Sequence, residues 1–220
     1  MIRTTDLFDL EHTIAADYLK GFEYPWQALS GIKQLIIDLG KQLDPVEYTE
    51  ISGNVWVHSS AKVFPSAYIG GPCIIGPETE VRHCAFIRGS ALVGRHCVIG
   101  NSVEIKNAII FDDCQVPHFN YVGDSILGYH AHLGAGSITS NIKADKKNIL
   151  IHSDEDIVTG LRKVGAMLGD WADVGSNCVL NPGVIIGRHT NIYPSSCVRG
   201  VIPADSIYKT GGVIVKKEER

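Results

Sequence analysis

Two cationic residues, Arg88 and Lys106, have a spacing in this 220-residue chain that suggests a shared chemical role. Their separation equals three steps of a period of six that runs through much of the chain, which would place them on neighbouring layers if three steps complete one coil. Cations stacked about 5 Å apart repel each other unless an anion lies between them. A phosphate group suits such a pair, because its oxygens accept hydrogen bonds from guanidinium and ammonium groups. The alternative is a solvated pair that Glu104 neutralises.

A histidine in the segment VPHFNY is the second candidate for chemistry. His118 follows a proline, and Tyr121 comes shortly after it in the same segment. An imidazole can take a proton from an attacking amine or hydroxyl near neutral pH. The chain holds nine histidines, so a surface histidine without a chemical role is the alternative.

The elements that must position these residues repeat with a period of six. Steps of six from Val57 meet ten apolar residues in succession, ending at Phe111, and a second run extends from Leu168 to Val198. We expect the apolar residues of this series to point inward, with the small residues that recur four positions after them at tight corners. A helix has a period of about 3.6 and a strand a period of two, so a sustained period of six predicts a β-helix of stacked coils.

Composition narrows the classes of function. Hydrophobic residues make up 45% of the chain, charged residues 20%, and the net charge is −4, which disfavours a nucleic-acid-binding protein. We find neither an uninterrupted apolar stretch of membrane-spanning length nor the apolar core of a signal peptide. Cys73, Cys97 and Cys178 share one repeat position, as small buried hydrophobic residues would. A reducing cytoplasm fits this use of cysteine.

Three segments depart from the period. In residues 1–50, the triplet at 24–26 (Tyr-Pro-Trp) predicts the start of a helix, and we expect this region to cover the open end of the first coil. Residues 51–212 form the predicted β-helix domain. Within it, residues 140–166 are charged and are expected to form a loop ejected from a coil. Residues 213–220 read as a short strand leading into a charged tail.

The segment between residues 103 and 141 resembles the C-terminal acetyltransferase domain of the bifunctional N-acetylglucosamine-1-phosphate uridyltransferase. The matching elements are VEIK, PHFNYVGD and GAGSITSN, with the spacing that the family has between them. The wider similarity covers about residues 86–200. It implies an all-β fold, a single-stranded left-handed parallel β-helix, preceded here by the N-terminal helical cap. The handedness comes from the resemblance, because parallel crossovers are in general right-handed.

The resemblance also implies a reaction, the transfer of an acetyl group from acetyl-CoA to the amine of glucosamine 1-phosphate or a related amino-sugar phosphate. Arg88 and Lys106 match the residues that hold the sugar phosphate. His118 matches the catalytic histidine and Tyr121 the tyrosine that contacts the sugar. The N–H of Ala135 would polarise the thioester carbonyl, as a donor to the developing oxyanion.

Further residues bear on the acceptor. Asn141 matches a family asparagine, and Lys147 matches a lysine that reaches in from a neighbouring subunit. His132 and Ile142 stand where the family has an asparagine that contacts the sugar and a tyrosine, so the acceptor stays open. Residues 1–50 precede the repeat and hold no glycine-rich nucleotide loop, so we do not expect nucleotidyl transfer.

Acetyl-CoA is expected as a co-substrate, without a tightly bound cofactor, in a groove between the subunits of a homotrimer. Backbone and small residues on neighbouring coils would line that groove, with a cation near the phosphates of CoA. The residues assigned to it are Ala135, Ser176, Tyr193, Pro194 and Ser195, with Arg199 or Lys209 as the cation.

Two other classes remain open. A non-catalytic protein that binds a sugar phosphate or supports oligomerisation, related to sugar nucleotidyltransferases, would tolerate the changes at His132 and Ile142. A trimeric zinc enzyme of the carbonic-anhydrase-like type would use His130 and His132 together with His83 or His96. Because the separation of His83 and His96 does not equal a full coil, they should not stack, and histidines without a metal are favoured.

Overall fold

The computed structural model describes residues 2–218 and shows a parallel β-helix of about nine coils. Most strands pair in parallel with the strand one coil earlier. The predicted all-β β-helix with an N-terminal helical segment is therefore confirmed. Among the described residues, no helix has the length and apolar character that crossing a bilayer requires.

The strands are short, and most span two to four residues between corners. In chain order they are β1 (Tyr48–Ser52), β2 (Val55–His58), β3 (Lys62–Val63), β4 (Tyr68–Ile69), β5 (Cys73–Ile75), β6 (Glu80–Val81), β7 (Phe86–Ile87), β8 (Ala91–Val93), β9 (Val98–Asn101), β10 (Glu104–Ile110), β11 (Gln115–His118), β12 (Tyr121–Leu127), β13 (His132–Leu133), β14 (Ile138–Thr139), β15 (Leu150–Ile151), β16 (Ile157–Val158), β17 (Ala166–Leu168), β18 (Asp173–Val174), β19 (Val179–Leu180), β20 (Val184–Ile186), β21 (Asn191–Ile192), β22 (Cys197–Val198), β23 (Val201–Ile202), β24 (Ser206–Lys209) and β25 (Val213–Lys216).

Three faces surround the apolar interior of the helix. Face A carries β3, β6, β9, β11, β13, β18, β21 and β24. Face B carries β4, β7, β14, β19, β22 and the first halves of β10 and β12. Face C carries β2, β5, β8, β17, β20, β23 and the second halves of β10 and β12.

The coil length changes where the period of six fails. Glu104 pairs with Phe86 on the preceding coil and with Tyr121 on the following coil. The coil from Glu104 to Tyr121 is therefore one residue shorter than the coil from Phe86 to Glu104. Ile110 pairs with Val93, so Ile110 occupies the inward position. The prediction that Phe111 is the tenth member of the inward series is therefore wrong. Two such shorter coils explain why steps of six beyond Phe111 leave the apolar series, which resumes at Leu127.

Corners require left-handed backbone at many non-glycine residues. Where β10 and β12 pass from face B to face C, Asn107 and Asp124 have φ of 49° and 50°. Asparagine and aspartate tolerate this region better than most side chains. The interior accepts small thiols as predicted, because Cys73, Cys97 and Cys178 are each at most 1% exposed.

The N-terminal segment runs along face C. It contains α1 (Thr4–Leu7), a 3-10 helix (Leu10–His12), α2 (Ala16–Leu19), a second 3-10 helix (Pro25–Gly31) and α3 (Ile32–Gly40). The predicted helix start at Pro25 is observed. However, α3 packs on β5, β8 and β10, and the second 3-10 helix packs on β12, so the expectation that this segment covers the open end of the first coil is wrong.

The physical reason lies in the strands of face C, which are apolar on both sides. Their outward residues Ile74, Leu92, Ile109 and Ile126 are at most 1% exposed, because the N-terminal segment covers them. Burial of each such side chain contributes about 1.5 to 3 kcal/mol. At the first coil, β1 instead pairs antiparallel with β2.

The charged loop leaves the helix after β14 and returns at β17. It contains an antiparallel hairpin of β15 and β16, and its residues Ile149, Ile151 and Val164 are fully buried. Gly165 N–H donates to the carbonyl of Asp124 at 2.7 Å, which fixes the return of the loop to the helix. At the C-terminal end, β25 pairs antiparallel with β24, so the predicted short strand is part of the sheet.

Candidate functional site

The corner between faces A and B holds residues that the sequence assigned to catalysis and CoA. His118 O accepts a hydrogen bond from Gly136 N–H at 3.0 Å, and Ala135 O accepts one from Asn177 N–H at 2.8 Å. The same corner continues on the next coils, where Gly175 approaches the backbone of Pro194. We name this stack the corner column, and its members in order are His118, Ala135, Ser176 and Pro194.

His118 is exposed at the end of β11, and its local backbone is tightly held. Its N–H donates to Asn120 Oδ1 at 3.1 Å, and the Asn120 amide donates to Gly134 O at 2.7 Å. Among residues 2–218 the His118 imidazole has no hydrogen-bond partner, so both ring nitrogens can meet a ligand. The sequence analysis did not select Asn120. Its only indication in the sequence is that an asparagine stands shortly after the histidine.

The corner between faces B and C contains an aspartate that the sequence analysis did not select. The Asp124 side chain is 7% exposed and lies 3.1 Å from Lys106 Nζ. Its carboxylate also accepts hydrogen bonds from Asn107 at 2.8 Å and from Asn141 at 2.5 Å. Asn141 donates in addition to the Tyr121 hydroxyl oxygen at 3.0 Å. Asp124 therefore connects three residues that the resemblance assigned to the acceptor. We name these five residues the Asp124 cluster.

Tyr121 remains a neutral phenol in this cluster. Burial raises its pKa, while the hydrogen bond from Asn141 acts in the opposite direction. Because the oxygen of Tyr121 accepts from Asn141, its hydroxyl proton is free to point toward a ligand.

Arg88 lies beside Lys106 on face B, one coil earlier. The backbone N–H of Arg88 donates to Ile105 O at 2.8 Å, which fixes the stacking of these two coils. The guanidinium donates to Glu104 Oε1 at 2.8 Å, and this hydrogen bond raises the pKa of Arg88. Glu104 therefore neutralises Arg88, and Asp124 neutralises Lys106. Neutralisation by Glu104 is the alternative that the sequence left open.

His132 lies on face A, apart from the Asp124 cluster on the B–C corner. Its Nδ1 donates to Asp173 Oδ1 at 2.7 Å, and Asn191 donates to the other carboxylate oxygen at 3.0 Å. The hydrogen bond from His132 lowers the pKa of Asp173. His132 is therefore held by a neighbouring coil.

Three predicted contacts to CoA or acceptor lie outside the corner column. Lys147 is exposed in the loop, where its N–H donates to Asp145 Oδ1 at 3.0 Å. Arg199 is on face B, with its guanidinium 2.9 Å from Nε2 of His152. Tyr193 is next to the column and 44% exposed.

The histidines considered for zinc are also separated. His96 lies between the carboxylates of Glu78 and Asp113, and His130 stacks on Trp171 with ring centroids 3.9 Å apart. Within the part of the chain that the structure describes, no group of three or more side chains is arranged to hold a metal ion.

Comparison with known proteins adds family context to this geometry. Residues 71–159 match the family described as the GMPPB C-terminal domain. The bifunctional protein GlmU of Methanococcus maripaludis is 32% identical over 91% of this chain and 50% of its own length. A bifunctional sugar-1-phosphate nucleotidylyltransferase/acetyltransferase of Sulfurisphaera tokodaii is 30% identical over 93% of this chain and 54% of its own length.

This chain resembles the C-terminal acetyltransferase part of these bifunctional proteins. It spans about half the length of the curated relatives that it matches. The resemblance first seen in VEIK, PHFNYVGD and GAGSITSN is thereby confirmed.

Solved structures that this chain matches include a variant of perosamine N-acetyltransferase from Caulobacter crescentus, with 19% identity and a TM-score of 0.39 over 86% of this chain and 67% of that one. A variant of the N-acyltransferase AntD from Bacillus cereus has 14% identity and a TM-score of 0.41 over 76% of this chain and 82% of that one.

Proposed function

We propose that this protein transfers an acetyl group from acetyl-CoA to the amine of an amino-sugar phosphate or a related amino sugar. The observation that carries the proposal is the corner column, where an imidazole without a partner among the described residues lies one coil from the GAG segment. The names of the curated relatives, which include an acetyltransferase, support the same reaction class.

In this proposal His118 acts as the general base. It takes a proton from the amine while the nitrogen attacks the thioester carbonyl of acetyl-CoA, so that a C–N bond forms and the C–S bond breaks. The proton passes to the CoA thiolate that leaves. No acceptor within residues 2–218 receives the N–H of Ala135, so this group can donate to the oxyanion.

In this proposal the acceptor lies over face B, where Lys106, Tyr121 and Asn141 belong to the Asp124 cluster. A phosphate at Arg88 and Lys106 must compete with the carboxylates of Glu104 and Asp124 for the same donors. This competition predicts binding that strengthens when Glu104 is replaced by glutamine.

We further propose a homotrimer with the sites between subunits. Ile138 and Val179 occupy adjacent coils of face B and form an exposed apolar row, at 39% and 38% exposure. Phe86, 43% exposed, lies in line with this row beyond Glu104 and Tyr121. A second subunit would cover these apolar side chains. The groove beside this face would hold the pantetheine arm of CoA along the corner column, while Tyr193 and Arg199 would contact the rest of the cofactor.

The experiment is a screen of amino-sugar phosphates and amino-sugar nucleotides with acetyl-CoA, which follows the release of free thiol. We expect turnover with at least one acceptor, and a fall of about 10² to 10⁴-fold in kcat for His118→Ala. His83→Ala removes another exposed histidine and serves as the matched control. Equal rates for the two variants would contradict the role of His118.

A non-catalytic protein that binds sugar phosphates is the second candidate. The changes at His132 and Ile142 favour it, because the resemblance implies a sugar-contacting asparagine at the first of these positions, where His132 instead pairs with Asp173. Wild-type protein that binds CoA or a sugar phosphate but turns over none of the acceptors would support this candidate.

A further inference from the structure

A cavity of about 590 Å³ opens at the corner between faces B and C, at the opposite end of face B from His118. Three separate parts of the chain form its wall. The N-terminal segment contributes Leu29 and Ser30, the corner contributes Asn107 and Asp124, and the loop supplies the rest. The loop residues are Ile142, Lys146, Leu161, Arg162 and Lys163.

The charges on this wall are unbalanced. Lys146, Arg162 and Lys163 are exposed, and within residues 2–218 none of them forms an ion pair. The carboxylate of Asp124 already has Lys106 as its partner at 3.1 Å. Three cations without counter-ions among the described residues therefore surround a concave space, which attracts an anionic ligand.

Hydrogen bonds hold the parts of the wall in place. Asn107 Nδ2 donates to Leu29 O at 3.3 Å, which ties the N-terminal segment to the corner. Val164 N–H donates to Asn141 O at 3.1 Å, so both ends of the loop meet at the helix. Arg162 Nε donates to Lys146 O at 3.3 Å, which joins the two cationic stretches of the loop.

We propose that this cavity binds a small molecule that carries a diphosphate group. A terminal diphosphate has about three negative charges near neutral pH, which matches the three cations, and Arg162 can bind its oxygens in bidentate fashion. Leu29, Ile142 and Leu161 provide an apolar surface for the uncharged part of the ligand. The cavity volume lies within the range of small-molecule sites.

The proposal goes beyond the acetyl transfer proposed above and does not depend on His118. It assigns a role to the loop and the N-terminal segment together, neither of which contributes to the corner column. Failure of acetyl transfer would leave the binding measurement unaffected, because no acetyl-CoA is present in it.

Isothermal titration of the full chain with pyrophosphate and with uridine diphosphate tests the proposal. We expect saturable binding that weakens as salt increases. The triple variant Lys146→Gln, Arg162→Gln, Lys163→Gln should lose at least about tenfold in affinity. The matched control Lys20→Gln, Lys41→Gln, Lys62→Gln removes the same charge from exposed positions outside the cavity and should bind within about twofold of wild type.

A second measurement needs no variant. Acetic anhydride labels accessible lysines, and mass spectrometry reads the extent at each position. Pyrophosphate should protect Lys146 and Lys163 while Lys41 is labelled as before. Absence of binding to wild type at millimolar concentration, equal affinity of the two triple variants, or equal protection of Lys41 would overturn the proposal.

Discussion

At the scale of single residues, the two ion pairs of face B differ in their surroundings. Asp124 is buried with three donors, whereas Glu104 and Arg88 are 34% and 46% exposed. An exposed pair gains little, because water and salt screen the charges. A buried carboxylate that loses its cation keeps an unpaired charge, which costs much more.

We therefore predict that Lys106→Ala lowers the free energy of unfolding by about 2 to 3 kcal/mol. The matched change Arg88→Ala on the neighbouring coil should cost less than about 1 kcal/mol. Urea denaturation followed by circular dichroism measures both values. A similar loss for the two variants would show that Asp124 does not depend on Lys106.

The pair of His132 and Asp173 predicts a dependence of stability on pH. Because the hydrogen bond from His132 lowers the pKa of Asp173 in the folded state, the contribution is present above the unfolded pKa and is lost as pH falls through the folded pKa. The free energy of unfolding of wild type should fall more steeply than that of Asp173→Asn below about pH 4. Asp154→Asn, at an exposed position in the loop, is the control and should follow wild type. Parallel curves for wild type and Asp173→Asn would contradict the coupling.

At the scale of elements, the N-terminal segment depends on a buried carboxylate in the helix wall. Asp170 is fully buried and accepts hydrogen bonds from the N–H groups of Asp9 at 2.7 Å and Tyr129 at 2.8 Å. Arg188 from the next coil donates to the same carboxylate at 2.6 Å. The start of the chain is thus fastened to two coils at once.

Loss of this carboxylate should loosen the start of the chain. We predict that Asp170→Ala lowers the free energy of unfolding by about 3 to 5 kcal/mol, since it leaves Arg188 and two N–H groups unpaired. Amide hydrogen exchange near residues 7–12 should become faster. Asp17→Ala, which removes a carboxylate 97% exposed in the same segment, should change neither quantity. Unchanged exchange in Asp170→Ala would exclude the fastening role.

At the scale of the whole molecule, the proposed trimer would bury the exposed apolar residues of face B. Light scattering should give a mass near three chains of 23.9 kDa. Ile138→Glu places a charge in the exposed row and should release monomers with unchanged circular dichroism. Val158→Glu, on the loop hairpin and 69% exposed, should remain trimeric. A monomeric wild type would remove the proposed intersubunit groove.

The sequence by itself determined the β-helix, the small inward cysteines and the helix start at Pro25. These features depend on local side-chain patterns, which decide whether each residue points into the core or outward. The family resemblance assigned His118 and Ala135 to one site, and in the structure they lie one coil apart on the same corner. The family resemblance supplied the reaction class from the same short stretch.

The tertiary structure decided what depends on partners far apart in the chain. The shorter coils moved Phe111 out of the inward series, and apolar residues on face C drew the N-terminal segment along the helix. Asp124 acquired its role from Lys106, Asn107 and Asn141, which lie on the coils next to its own. A repeat pattern shows which way a side chain points, but the packing of distant segments decides what covers it and which charges it meets.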